Sequence, residues 1–239
     1  MGMTVPDGPG WERRAVLRTT GGIQLRSADR AKRVVAAVRV LAVERGSTEF
    51  TMVEIAEASG VPLRTLYRQF PGRDELLLAL LEEDARLGVE MLERKLRHIA
   101  DPAARLESFV LGLWDFMEIG SGYASVLVRE HLRLAEGHPD ETKACLEPFV
   151  DLMVRLMDEA GVDFSAPRDA PTEAAAGEAA AGAFVMFSVL LAHMQAVLLF
   201  RPELDHKTAA DGVWQLFRSL SSDTVPAQRD AGRHRKGEP

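Results

Sequence analysis

A chain of 239 residues with 46% hydrophobic content can bury one or two cores, and its net charge of −7 excludes a protein that coats nucleic acid with uniform positive charge. The charge is divided: residues 1–80 carry 12 Lys and Arg against 9 Asp and Glu (net +3), and residues 81–239 carry 17 against 27 (net −10). A slightly basic front on an acidic body suits a small head that meets a polyanion, although simple drift of charge along a soluble chain fits the totals as well.

Residues 1–25 begin with Gly and Pro and continue as "WERRAVLRTTGG", which predicts a flexible arm. Arg13, Arg14, Arg18 and the following Arg26 would suit an adjacent minor groove, set against the plainer expectation of a loose start. No apolar stretch of signal-peptide type opens the chain. Apolar spacings of three and four then run through "RAKRVVAAVRVLAVERG", placing Val34, Val35, Val38, Leu41 and Ala42 on one side of a helix that Arg45-Gly46 closes. In "TMVEIAEASG", Thr51 followed three residues later by Glu54 is a capping-box pattern, and Gly60 ends the short helix. After a Gly-Val-Pro corner, Leu63, Leu66 and Phe70 share the inner face of the next helix, so Arg64, Thr65, Arg68 and Gln69 are expected to point outward. Pro71-Gly72 breaks the chain again before a long helix that Asp74 opens.

The rear is helical throughout. Asp101-Pro102 is a helix start, "AEGHPD" is a break, and Pro148 predicts a kink or a boundary before it. The run "AFVMFSVLLAHMQAVLLF" (183–200) has the length of a membrane span. Ser188, His193 and Gln195 interrupt it and Arg201-Pro202 ends it, so a helix buried in a helical core is expected, with no membrane partner and a soluble, cytoplasmic protein. The tail 223–239 is polar and expected to be disordered. The fold class is therefore all-α, with about nine helices, no sheet and no internal repeat.

Two short helices around a tight corner, with Arg, Thr, Tyr and Gln on the second, match the physics of a helix-turn-helix. Arg can pair with guanine O6 and N7, Gln with adenine N6 and N7, and hydroxyls with phosphate oxygens. An ordinary solvated helix face satisfies the same spacing. The segment "FTMVEIAEASGVPLRTLYRQFPGRDELL" nevertheless resembles the DNA-binding signature of TetR/AcrR transcriptional regulators, through Phe50, Thr51, Ile55, Ala56, Gly60, Val61, Thr65, Leu66, Tyr67, Phe70, Arg73, Glu75, Leu76 and Leu77. The resemblance covers residues 28–80.

It implies a DNA-binding domain over 26–80 with helices at 29–45, 52–59 and 62–69, the last reading double-stranded operator DNA. Thr51 and Tyr67 would contact phosphates, and Arg64, Thr65, Arg68 and Gln69 would face the groove. Arg73 would stand where the family usually has a phosphate-binding lysine. Pro62 departs from the Ser common at its position and cannot cap the helix with a side chain.

For 81–222 the resemblance implies a ligand-binding and dimerisation domain, forming a homodimer through helices 173–200 and 206–220. The two recognition helices would then meet a near-palindromic operator one DNA turn apart. Trp114, Met117, His131, Met153, Met157, Met186, Phe187 and His193 are the pocket candidates for a mainly apolar small-molecule effector, although each taken alone also suits core packing.

No cofactor or metal is expected. Cys145 is the only cysteine, which excludes an internal disulfide and a Cys-based zinc site; His131 and His138 stand seven apart, and His193 and His206 stand singly. Nor does the chain carry a serine–histidine–acid set or a phosphate-binding glycine loop, and Glu82-Glu83 are expected on a solvated helix face. The leading expectation is a ligand-responsive repressor and not an enzyme. An all-helical enzyme or binding protein for a hydrophobic molecule is the alternative, and a dimerisation module whose head no longer reads DNA is a third.

Overall fold

Ten helices account for nearly all of the described chain in a computed structural model that describes residues 10–17, 24–118, 123–162, 172–200 and 204–220. In order they are α1 Gly10–Leu17, α2 Gln24–Arg45, α3 Met52–Ser59, α4 Leu63–Gln69, α5 Arg73–Leu96, α6 Pro102–Glu118, α7 Tyr123–Gly137, α8 Pro139–Glu159, α9 Thr172–Phe200 and α10 His206–Leu220. No strand occurs among the described residues, as the apolar periodicity predicted.

Local chemistry explains the boundaries around the corner. The Glu54 amide donates to Thr51 Oγ1 (3.2 Å) while the Thr51 amide donates to Glu54 Oε2 (2.7 Å), so the capping box is closed in both directions. Gly60 ends α3 at φ +64°, a left-handed conformation that side-chain-bearing residues rarely adopt. Pro62 precedes α4 with no side-chain cap; its carbonyl accepts from the Thr65 and Leu66 amides at 2.7 and 3.0 Å.

Two apolar clusters hold the molecule. The first joins α1–α4 to the front of α5 through Trp11, Val34, Val38, Ile55, Leu66, Phe70, Leu76 and Leu80, and reaches Leu134 of α7 and Cys145 of α8. The second joins the rear of α5 to α6–α10 through Leu92, Phe109, Trp114, Phe149, Met153, Phe187, Met194 and Phe217. Helix α5 belongs to both. At its rear, α6 approaches so closely that a Cβ at Gly112 would meet Leu92 Cδ2 at 2.7 Å.

Three expectations change. Residues 10–17 of the expected loose arm form α1, with Trp11 buried and its ring stacked on Phe70 at 6.5 Å between centroids. Arg13 and Arg14 are exposed on it; Arg18 and the side chain of Arg26 lie outside the described residues. Of the kink or boundary expected at Pro148, the boundary does not occur, since helix α8 continues through it. Both Pro148 and Ala144, whose carbonyl loses its helical donor there, are exposed, so water can satisfy that carbonyl. Third, Glu82 and Glu83 are half-buried and hold α1: the Trp11 amide donates to Glu82 Oε1 (3.0 Å), its indole N–H to Glu83 Oε2 (3.3 Å), and Arg14 pairs with Glu82 at 2.8 Å. The tail 223–239 lies outside the described residues.

Candidate DNA interface and effector cavity

Helix α4 buries Leu66 and Gln69 and turns Arg64, Tyr67 and Arg68 outward, Tyr67 being 48% exposed, while Thr65 is partly buried. Arg64 and Arg68 have no intramolecular hydrogen-bond or ion-pair partner among the described residues, so their guanidinium groups are available to an outside acceptor. Gln69 does not face outward. Its amide nitrogen donates to the Ser27 carbonyl (2.9 Å) and Ser27 Oγ (3.0 Å) inside the head, because it lies three residues from Leu66 on the inner face.

Thr51 is exposed, with its hydroxyl engaged in the capping box. The Thr51 amide and then the Arg45 guanidinium hold the Glu54 carboxyl down to about 2. Arg73, at the start of α5, is half-buried: its Nη2 donates to Thr48 Oγ1 at 2.8 Å and lies 3.8 Å from Glu130 of α7. Beside it, Arg133 bridges Glu130 and Asp74, each at 2.7 Å. Arg73 is thus turned towards the protein's own acids rather than left free.

A cavity of about 100 Å³ lies between α5, α6, α7, α8 and α9. Leu81, Ala85, Leu113, Leu127, Val128, Phe149, Leu190 and Met194 make most of its wall, and the surface they present is almost wholly carbon. Of the residues expected there, His131 and Phe187 line it. Burial lowers the His131 pKa and so favours the neutral ring.

Trp114, Met186 and His193 each sit one position from a lining residue (Leu113, Phe187 and Met194), and one position turns a helical side chain by about 100°. Trp114 and Met186 are instead buried in the rear core, and the Trp114 and His193 rings meet edge to face at 5.6 Å. Met153 and Met157 continue the Phe149 face of α8 beyond the cavity and are core residues. The side chain of Met117 lies outside the described residues. Cys145 lines the cavity; burial pushes its thiol up to about 12, and it donates to the Glu141 carbonyl at 3.2 Å. No group of His, Cys, Asp and Glu suited to a metal occurs among the described residues searched.

Among the polar groups on this wall that sequence reasoning missed, which include Cys145 and Gln195, one is charged and buried. Asp84, 6% exposed, accepts from Arg39 Nε of α2 at 2.7 Å and from the Tyr123 hydroxyl of α7 at 2.5 Å. Burial pushes the Asp84 carboxyl up, and the Arg39 charge and both hydrogen bonds pull it back. Burial and the adjacent carboxylate likewise raise the Tyr123 phenol, which stays a donor. The signal was an acid in step with Leu77, Leu80 and Leu81 on the apolar face of α5.

Comparison with known proteins gives this geometry a lineage. Residues 34–80 match the family model described as bacterial regulatory proteins, tetR family. The chain is 31% identical over 153 residues to the HTH-type transcriptional activator FasR of Mycolicibacterium smegmatis, a stretch covering 60% of this chain and 69% of that protein. The chain belongs to the TetR family.

As a TetR-family member it is a DNA-binding transcriptional regulator and not an enzyme. Solved TetR-like structures share its architecture. FadR of Bacillus subtilis in complex with stearoyl-CoA aligns with a TM-score of 0.59 at 15% identity, covering 80% of this chain and 97% of that one. Thermus thermophilus FadR, a TetR-family repressor in complex with lauroyl-CoA, aligns at 0.56 and 17% identity, covering 85% and 100%. No described helix is long and apolar enough to cross a membrane.

Proposed function

We propose that this regulator is a cytoplasmic homodimeric repressor that reads a near-palindromic operator with α4 and releases it when an acyl-type effector fills the cavity beside α5. Arg64, Thr65 and Arg68 meet base edges, while Thr51 and Tyr67 meet phosphates, with Arg73 joining them once it leaves Thr48 and Glu130. Exposed Phe184, Val185 and Val189 on α9 and Leu216 on α10 form the apolar face across which two copies pair.

The observation that carries the effector assignment is the almost wholly carbon surface that the cavity presents, although Asp84, His131, Cys145 and Gln195 also line it; that surface suits a hydrocarbon chain. The acyl-CoA thioesters bound by the two FadR proteins supply the chemical class to try first. An effector preferring the DNA-incompetent arrangement shifts the population away from operator by its differential affinity, about 1–3 kcal/mol in systems of this kind.

The test selects bound sequences from random duplex DNA, then titrates the best one with stearoyl-CoA and with free CoA. Release by stearoyl-CoA alone is expected. The Arg64→Ala/Arg68→Ala double variant should lose about 1–3 kcal/mol per base contact and its sequence preference. Tighter operator binding in stearoyl-CoA would make the protein the opposite kind of regulator, and unchanged preference in the double variant would remove α4 as the reader.

A further inference from the structure

Helices α2, α5 and α7 meet at one buried polar cluster. Asp84 of α5 accepts from Arg39 of α2 through Oδ1 and from Tyr123, the first residue of α7, through Oδ2. The same aspartate stands in the cavity wall with Leu81 and Ala85, and the wall also includes Leu127, Val128 and His131 of α7. Resting on the effector reading above, we propose that the Arg39–Asp84–Tyr123 cluster is the clamp by which the head senses whether the cavity is filled.

An ion pair taken largely out of water is weak grounds for added stability. Desolvating an ion pair costs so much that well-packed apolar replacements are often neutral or stabilising, so such a group calls for another explanation. Its position supplies one. The Tyr123 bond is 2.5 Å long and a hydrogen bond is lost beyond about 3.5 Å, so moving α7 from α5 by roughly 1 Å breaks it. A chain lodged in the cavity meets Leu81 and Ala85 of α5 and Leu127 and Val128 of α7, and making room for it would part the two helices. With Tyr123 withdrawn, the carboxylate keeps only Arg39, and α2 is free to follow α5 without α7.

Another polar link between head and rear, through Thr48, Arg73, Glu130, Arg133 and Asp74, is partly exposed, and none of its residues lines the cavity. It provides a control that also crosses between helices.

The experiment measures operator Kd with and without saturating stearoyl-CoA for the wild type, Tyr123→Phe, Asp84→Asn and Arg133→Gln, and stearoyl-CoA affinity by calorimetry on the DNA-free proteins. The wild type and Arg133→Gln should change operator Kd by about 5- to 150-fold, whereas Tyr123→Phe should fall below about threefold while still binding stearoyl-CoA. Asp84→Asn should behave alike; Tyr123→Phe, which removes one oxygen, decides the matter if Asp84→Asn fails to fold. Retention of the wild-type ratio in Tyr123→Phe overturns the clamp. If wild type does not respond to stearoyl-CoA, the effector reading fails by itself. The clamp is then judged on unliganded operator Kd: a change above about fivefold in Tyr123→Phe, the lower limit of typical coupling, with unaltered melting supports it, and no change overturns it.

Discussion

Between Arg68 and Gln69 the recognition helix turns by about 100°, enough to carry one side chain to solvent and the next to the Ser27 carbonyl. If Gln69 is a structural amide, Gln69→Leu removes its two buried hydrogen bonds to Ser27 and costs about 1–3 kcal/mol. Denaturant unfolding should register that loss while sequence selection on the purified variant returns the same preferred bases. An unchanged midpoint with altered base preference would restore Gln69 to the groove. The spacing from Leu66 carried this information, but the polar type of the residue outweighed its register. Asp84 was hidden for the same reason, as an acid on an apolar helical face that reads as a break until its counter-ion, 45 residues away, is seen. Arg64, Tyr67 and Arg68 were legible because their register and their polarity agree.

At the scale of elements, α1 is the clearest addition to what the chain suggests. A Gly- and Pro-rich start concealed an amphipathic turn in which Trp11 and Ala15, four apart, are both buried. Trp11 spans the end of α4 at Phe70 and the acids Glu82 and Glu83 of α5, so it fastens the recognition helix to the connector. Trp11→Ala should lower unfolding free energy by about 3–5 kcal/mol, the range for deleting a buried tryptophan. Operator affinity should fall in proportion to the unfolded fraction, with no change in salt slope, if α1 serves to pack the head rather than to pair with phosphate. A reduced slope at full stability would return the arm to DNA. The capping box, the Gly-Val corner and α9 and α10 were readable in advance because each is set by neighbours within a few residues. The cavity was not, since five helices contribute to it and a one-residue rotation decides whether Leu113 or Trp114 faces inward.

At the scale of the whole molecule, a line of large apolar side chains stays uncovered on α9 and α10, Phe184 at 53% and Leu216 at 46% exposed. Phe184→Glu with Leu216→Glu should convert a two-copy assembly into single chains by analytical ultracentrifugation, with melting of the chain itself little altered. Operator affinity should collapse, because each half-site is then held alone. Persistence of the larger species would move the pairing face elsewhere. The rear domain was legible only as helices and length, whereas its assembly depends on which faces stay bare after folding.

The close seat of Gly112 against Leu92 would serve as a fulcrum for any tilt of α5. From Leu92 forward to Arg73 the helix extends roughly 28 Å at about 1.5 Å per residue, so a tilt of about 4° swings its front end by roughly 2 Å. That is a large fraction of a base-pair step. A bulkier residue at 112 would act on DNA recognition by shifting the pivot of a lever, far from every group that touches the duplex.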